Sequence, residues 1–373
     1  MSKICYLTYQ SFPSVKANTI QTISNLKYFA RNGYDVELIF PLREKNSSDK
    51  LEDLQKFYSF SEDIKLRGVK HNYPFGKVLL FEKLLFLFSH VLWSKKIVNN
   101  LIKSNYIDYT FFTRSEWIAY FLSQQKLNVL YECHQSSKIK KLLVPLIIKN
   151  KKSKIIFLNE NLNKSFNLKK KFHSRISTLH NGVDSELFDE NIEKNINDII
   201  FVGNLLRFNK KRDIEFLINS FKDTRLSKKY NLKIVGGPEN ERMRLGKYIE
   251  KNNLENKVKA IGGLGRKDTI IEIQKSEIGL LINTSDNLHS THYTSPLKYF
   301  EYLYGGLKVV AVDFPAHRNL PFSDNITYFS ENSLEDFIKS LEKASYKQKI
   351  EKDKLKDITL DSRIKRIIEI IEM

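Results

Sequence analysis

Only two cysteines occur in 373 residues, Cys5 and Cys133, far apart and in no metal-like spacing. That excludes a disulfide scaffold and argues against a zinc site, and it fits a reducing compartment. No run of eighteen uncharged apolar residues appears, so a membrane-spanning helix is not expected. The opening MSKICYLTYQ lacks the long apolar stretch and the small-residue cleavage site of a secretory signal. A cytoplasmic location follows as the expectation. The G-x-x-x-x-G-K-[ST] loop, a G-x-G-x-x-G after a strand, H-E-x-x-H and G-x-S-x-G are all missing. So is any D-x-D pair. A bound diphosphate would then be neutralised by cations, backbone N–H groups and helix N-termini, with no metal expected.

The hydrophobic fraction of 41% and the aromatic fraction of 12% can fill well-packed interiors. The length suits two domains of ordinary size. Formal net charge is +19. Nucleic acid, an anionic membrane surface or an anionic small substrate would each account for such an excess. A general Lys, Ile and Asn bias of the chain would account for it as well. No helix-turn-helix, RNA-recognition or zinc signature accompanies the charge, so nucleic acid is not an expected partner.

Along the chain, strand–loop–helix units repeat. Ile4–Thr8 reads as a strand and Thr19–Arg31 as a helix with apolar Ile20, Ile23, Leu26 and Phe29, stopped at Asn32-Gly33. Val36–Phe40 reads as a second strand halted by Pro41. Further strands are expected at 109–112, 129–131 and 155–158. His180-Asn181-Gly182-Val183-Asp184 breaks the pattern, and the polar stretch to Asp198 reads as an interdomain linker. A second series follows: strands at 199–202, 232–235, 258–261, 278–282 and 309–312, with helices from Ile214 and over Leu297–Tyr304. Residues 343–358 read as a charge-rich, solvated helix. The pattern implies two doubly wound α/β domains, with ligands at the carboxyl ends of their strands.

Two loops carry candidate chemistry. Gly203 to Arg212 follows a strand and holds Arg207, Lys210, Lys211 and Arg212 within six residues. In His292-Tyr293-Thr294-Ser295-Pro296-Leu297, Thr294 or Ser295 can cap a helix and Pro296 fits its first turn, leaving N–H groups for an anion. Glu301 falls two turns on, where its carboxylate can accept hydrogen bonds from vicinal hydroxyls. Residues 77–103 combine a wide apolar face with basic ends, which suits either a buried helix or one resting on an anionic membrane.

Ser295-Pro296-Leu297-Lys298-Tyr299-Phe300-Glu301-Tyr302-Leu303 with Gly305-Gly306-Leu307-Lys308-Val309-Val310-Ala311 resembles the donor-site segment of retaining glycosyltransferases of family 4. His180–Asp184, Phe201-Val202-Gly203, Val235-Gly236-Gly237-Pro238 and Tyr131-Glu132-Cys133-His134 are similar to other segments of that family, in the same order. Phe12 to Gln21 and Thr113-Arg114-Ser115 look like loops of its bacterial surface-polysaccharide members. The resemblance implies the GT-B fold, two Rossmann-like domains facing a cleft: 1–185 for the acceptor, 186–355 for a nucleotide-sugar donor, and 356–373 as a helix packing back on the first. It implies a sugar transfer from a nucleotide diphosphate to a saccharide or lipid-linked saccharide, with a nucleotide sugar as substrate and no cofactor. Peripheral association with the inner face of the cytoplasmic membrane would fit such an acceptor.

Carried over by position, Glu301 matches the second glutamate of the family's E-x7-E pattern, which holds the ribose; Tyr293 stands where the first, sugar-contacting glutamate would be. Asn204 replaces the family's arginine after the strand-end glycine, with Arg207 as a substitute. Arg212 matches the phosphate-binding lysine and His134 the histidine beside the donor sugar. His134, Arg207 and Arg212 are thus the expected catalytic set. Gly203, Lys211, Gly237, Thr294, Ser295, Pro296 and Leu297 complete the expected nucleotide and diphosphate contacts. Lys16, Asn18 and Arg114 are expected on the acceptor side. The rival readings are a nucleotide-sugar epimerase and a nucleotide-sugar-binding partner that has lost turnover.

Overall fold

The computed structural model describes residues 2–71, 82–104, 106, 108–207 and 210–373. Two compact units divide the chain: Met1–Leu179 with Arg363–Met373, and His180–Ser362. Expected divisions lay at 185 and 355. The difference arises because the 180–184 turn is bound into the second unit. There Val183 bridges Thr359, its N–H donating to Ile358 and its carbonyl accepting from Leu360.

The first unit is built on β1 (Lys3–Leu7), β2 (Asp35–Leu42), β3 (Lys65–Lys70), β4 (Tyr109–Thr113), β5 (Asn128–Cys133), β6 (Ser153–Phe157) and β7 (Ile176–Thr178). They form one sheet in the order β3-β2-β1-β4-β5-β6-β7, and every pairing is parallel. β2 does not stop at Pro41 as expected. β1 ends at Leu7 opposite Ile39, so Pro41 stands beside β3 alone and no neighbour needs its missing N–H.

The second unit carries β8 (Asn195–Val202), the hairpin β9 (Leu206–Arg207) and β10 (Lys210–Lys211), then β11 (Asn231–Val235), β12 (Val258–Ile261), β13 (Ser276–Leu281), β14 (Lys308–Val312) and β15 (Ile326–Phe329). Its parallel sheet runs β12-β11-β8-β13-β14-β15. Both sheets therefore reverse direction beside their first strand, between β1 and β4 and between β8 and β13. Such reversal points open a crevice at the carboxyl ends. β8 begins inside the stretch expected to be linker.

Parallel strands covered on both faces need apolar side chains pointing both ways. Ile199 and Phe201 join one core with Leu232, Ile234, Ile278, Leu280, Val310 and Val312. Ile200 and Val202 join the opposite core with Val235, Leu281, Val309 and Ala311. Each such side chain contributes about 1.5–3 kcal/mol on burial. The expected 343–358 helix is two pieces, Leu334–Tyr346 and a 3₁₀ segment Lys352–Ile358. Lys347 is extended between them, and the turn brings Leu355 and Ile358 into the core.

Residues 360–372 form a final helix that ends in the first unit. Tyr34 donates to Glu372 at 3.1 Å, and the Lys154 ammonium caps the carbonyls of Ile370 and Ile371 at 2.6 and 3.0 Å. Of the 77–103 stretch, Glu82–Lys103 is one helix and 77–81 lie outside the described residues. No helix among the described residues is long and apolar enough to cross a membrane.

Candidate functional site

In the second unit the crevice floor is fixed by Tyr302. Its phenol accepts the Val202 N–H at 2.9 Å and approaches the Leu280 carbonyl at 3.5 Å, bridging β8 and β13. The ring lies against Gly279, where an added Cβ would sit 2.4 Å from it. Gly203 donates to Val235, Gly236 to Ile261 and Leu205 to Gly237, locking three strand ends together. Gly236 has φ +156°, and a Cβ there would fall 1.8 Å from the Gly203 carbonyl oxygen. Glycine is required for that approach. Gly203 and Gly237 thus stand at the strand ends that line the crevice.

The Arg212 backbone closes on Leu205 at 3.1 Å. Its guanidinium is 3.4 Å from the Ile282 carbonyl and 5.7 Å from the Phe201 ring centre. It therefore stands over the β8–β13 reversal point. Lys211 is exposed on the hairpin. Asn204 Oδ1 accepts the Leu206 N–H and makes the turn. The Arg207 side chain lies outside the described residues, as do Phe208 and Asn209.

Thr294 and Ser295 do not cap the Leu297–Tyr304 helix; Pro296 occupies the cap position without a side-chain bond. Ser295 is used elsewhere. Its hydroxyl accepts the Asn181 N–H at 3.1 Å, and its carbonyl accepts from Asn181 Nδ2 at 2.5 Å. The loop is thereby tied to the 180–184 turn. The Tyr299 N–H donates to the Pro296 carbonyl at 3.1 Å, which leaves the first two N–H groups of the helix, those of Leu297 and Lys298, to meet an anion. Tyr293 ends a π-helical turn, His289–Tyr293, and is half-buried.

Glu301 is buried, and both carboxylate oxygens are engaged. Oε1 lies 2.6 Å from Arg266 and Oε2 2.6 Å from Lys298. Burial alone would push this carboxyl up; the charges of Arg266 and Lys298 outweigh it and hold the carboxyl below its ordinary value. Burial lowers Lys298, with Glu301 opposing. Lys298 was readable as an i,i+3 neighbour. Arg266 was missed because it comes from another helix, Arg266–Gln274, and only contact reveals it. The far end of the Glu301 helix is held by Lys194, whose ammonium binds the carbonyls of Gln274, Ser276 and Gly305.

In the first unit, His134 follows β5, with Nε2 3.1 Å from Glu132. Burial and the nearby Arg114 charge lower its pKa to about 4, against the opposing pull of Glu132. The imidazole is neutral at pH 7. Arg114 was expected to meet the acceptor, yet its Nε donates to Glu132 at 2.6 Å and its Nη1 to Gln21 at 3.0 Å. It is a buried partner of Glu132, and Arg363 grips the other Glu132 oxygen. Lys16 and Asn18 are exposed at the start of the Ala17–Arg31 helix.

Sequence reading missed a polar cluster at the ends of β1 to β4. The Tyr9 hydroxyl meets Ser89 at 2.6 Å and His71 at 2.8 Å. The His90 ring stacks on Tyr9 at 4.5 Å and reaches Ser115 at 2.8 Å, while Arg43 lies 4.7 Å over the Tyr9 ring. Only the position of Tyr9 just beyond the end of β1 could have hinted at it. Among the described residues no group of three or more His, Cys, Asp or Glu is placed to hold a metal ion.

Residues 183–356 match the family model described as glycosyl transferases group 1. No curated protein sequence matches the chain. Among solved structures, the chain is similar to sucrose-phosphate synthase from Thermosynechococcus elongatus, with 12% identity, coverage of 99% and 98% of the two chains and a TM-score of 0.73. A trehalose-6-phosphate protein from E. coli bound with UDP-2-fluoro glucose gives 10% identity, coverage of 100% and 99% and a TM-score of 0.68. The lipopolysaccharide outer core galactosyltransferase WaaB gives 13% identity, full coverage of both chains and a TM-score of 0.65. The fold is therefore GT-B.

Proposed function

We propose that the protein transfers a sugar from a nucleotide diphosphate to a saccharide or lipid-linked saccharide, with retention of configuration, in the synthesis of a surface polysaccharide or related glycan. The observation that supports this reading is the second unit's crevice, where Arg212 stands over the ends of β8 and β13 and the helix tied to those strands through Tyr302 carries a buried, ionised Glu301. That segment lies within the glycosyl transferases group 1 match.

Glycosyl transfer separates an oxocarbenium-like sugar from a diphosphate, so stabilising the leaving charge lowers the barrier. Arg212 and the N–H groups of Leu297 and Lys298 would hold the diphosphate, with Arg207 and Lys211 near the same loop. Glu301 would take the ribose hydroxyls through the lone pairs that Arg266 and Lys298 leave open, and those two cations keep it ionised. His134, neutral and half-buried, would meet the sugar as an uncharged hydrogen-bonding group. The leaving phosphate would take the acceptor's proton, and no metal is needed in this scheme.

Incubation with a panel of nucleotide sugars and saccharide acceptors, with the anomeric configuration of products read by NMR, tests the reading. A retained anomer supports it. Nucleotide binding without transfer or donor hydrolysis would instead favour a partner that has lost turnover, the reading that Tyr293 at the glutamate position favours.

A further inference from the structure

The sequence motifs point to His134 but not to what surrounds it. Glu132, two residues earlier on β5, is fully buried, and its Oε2 lies 3.1 Å from His134 Nε2. A carboxylate at that distance ordinarily favours the protonated, charged ring. Here the carboxylate is already claimed. Arg114, just after β4, donates from Nε to the same oxygen at 2.6 Å, and Arg363, on the final helix, grips the other. The side chains of Arg114 and Arg363 are 9% and 3% exposed, so water screens neither charge. Two guanidinium charges thus face one carboxylate, and an imidazolium would bring a third cation to it.

Two further neighbours are neutral. Tyr6, buried on β1, has its pKa raised chiefly by burial, and its hydroxyl accepts from Thr22 at 3.3 Å. Gln21, on the Ala17–Arg31 helix, accepts from Arg114 at 3.0 Å. The ring is also turned one way. Nε2 is covered by protein while the His134 side chain is 23% exposed, so its exposed part lies away from Nε2, toward Nδ1. Burial and the Arg114 charge, with Arg363 adding, hold the His134 pKa at about 4 in spite of Glu132.

We propose that Arg114 and Arg363 are positioning residues for His134: by clamping Glu132 they let it hold the ring through Nε2–H without charging it, which leaves Nδ1 as a hydrogen-bond acceptor. A hydroxyl of the donor sugar would donate to Nδ1, and electron density on its oxygen would rise near the carbon where positive charge develops. An imidazolium in the same place could only donate, and its charge would oppose that of the oxocarbenium-like centre. Neither arginine touches substrate in this arrangement. The inference rests on the sugar-transfer reading for its purpose, because that reading places a sugar beside His134. The protonation of the ring is measurable without any substrate.

Nitrogen-15 and carbon-13 NMR of the histidines in the full-length protein gives the readout, with the His134 signals identified by their loss in His134→Gln. In the wild type the ring should carry its proton on Nε2 and remain largely uncharged at pH 5. Arg363→Gln should raise its pKa by about one unit or more. The acid limb of the kcat/KM profile should move up with it, because protonation removes the acceptor. Arg363→Lys, which keeps the charge, should return both toward wild type. Loss of stability alone would lower the amount of active enzyme without moving the pKa or the limb. A wild-type proton on Nδ1, a pKa unmoved in Arg363→Gln, or a raised pKa with an unmoved limb would each overturn the proposal. The first of these needs no variant, so it decides even where Arg363→Gln does not fold. Both NMR outcomes stand whether or not the protein transfers a sugar, which separates failure here from failure of the proposed reaction.

Discussion

Arg266 holds its guanidinium 2.6 Å from Glu301 although the two belong to different helices, and the contact keeps a fully buried carboxylate charged. Removing the arginine leaves Lys298 as the remaining cation on that carboxylate among the contacts described. Arg266→Ala should therefore weaken nucleoside diphosphate binding about tenfold or more and lower stability by about 3–5 kcal/mol, the range for breaking a buried ion pair. Calorimetric titration with a nucleoside diphosphate and urea unfolding measure the two effects. Glu301→Gln, which keeps the shape, should lose affinity with a smaller change in stability.

Arg212 bears on turnover. If it stabilises the departing diphosphate by ~1.5–4 kcal/mol, Arg212→Ala lowers kcat/KM roughly ten- to a thousandfold. Steady-state kinetics with the accepted donor decides this, and near-wild-type turnover would remove Arg212 from the site.

Acid should destabilise the first unit earlier than ordinary carboxylates would. His134 is lowered from 6.5 to about 4, and His90 to about 3, chiefly by burial with Arg43 and Lys140 adding. Unfolded histidines take up protons near 6.5 while the folded ones do not, so stability is complete above that value and falls as pH drops toward 4. Urea midpoints at pH 7.5, 6.0, 5.0 and 4.5 should fall in that order. A flat profile from pH 7.5 to 5 contradicts the lowered pKa of both rings.

Tyr302→Phe should cost about 1–3 kcal/mol, because the Val202 N–H loses its acceptor inside the protein. Gly279→Ala should cost at least as much, since its Cβ would strike the Tyr302 ring. Thermal unfolding of both variants checks the pair, and a double variant less damaging than the sum would show that they share one contact.

Most strands and the two-unit plan were legible because buried parallel strands read as apolar runs and their ends as glycine or polar turns. Gly236-Gly237-Pro238 was found that way, and its close approach to Gly203 is what glycine permits. β3, β7 and β15 were overlooked. β3, Lys65-Leu66-Arg67-Gly68-Val69-Lys70, is too polar to stand out, because it lies at the edge of its sheet, where no strand among the described residues pairs with its outer side. Candidate site residues were nameable from the sequence where a local motif carried them, as with Glu301 and His134. Their partners were not: Arg266 and Arg363 are distant in the chain, and Arg114 was assigned to the acceptor because the sequence cannot show that Glu132 claims it.

The pairing of Glu132 with Arg363 also orders events in time. The whole of the second unit is inserted between β7 and the helix that returns to the first. A ribosome therefore releases the entire His180–Ser362 body before it supplies the residue that balances a carboxylate made much earlier. Newly made chains pass through an interval in which the inserted unit is ready to close while its host still waits for its last helix.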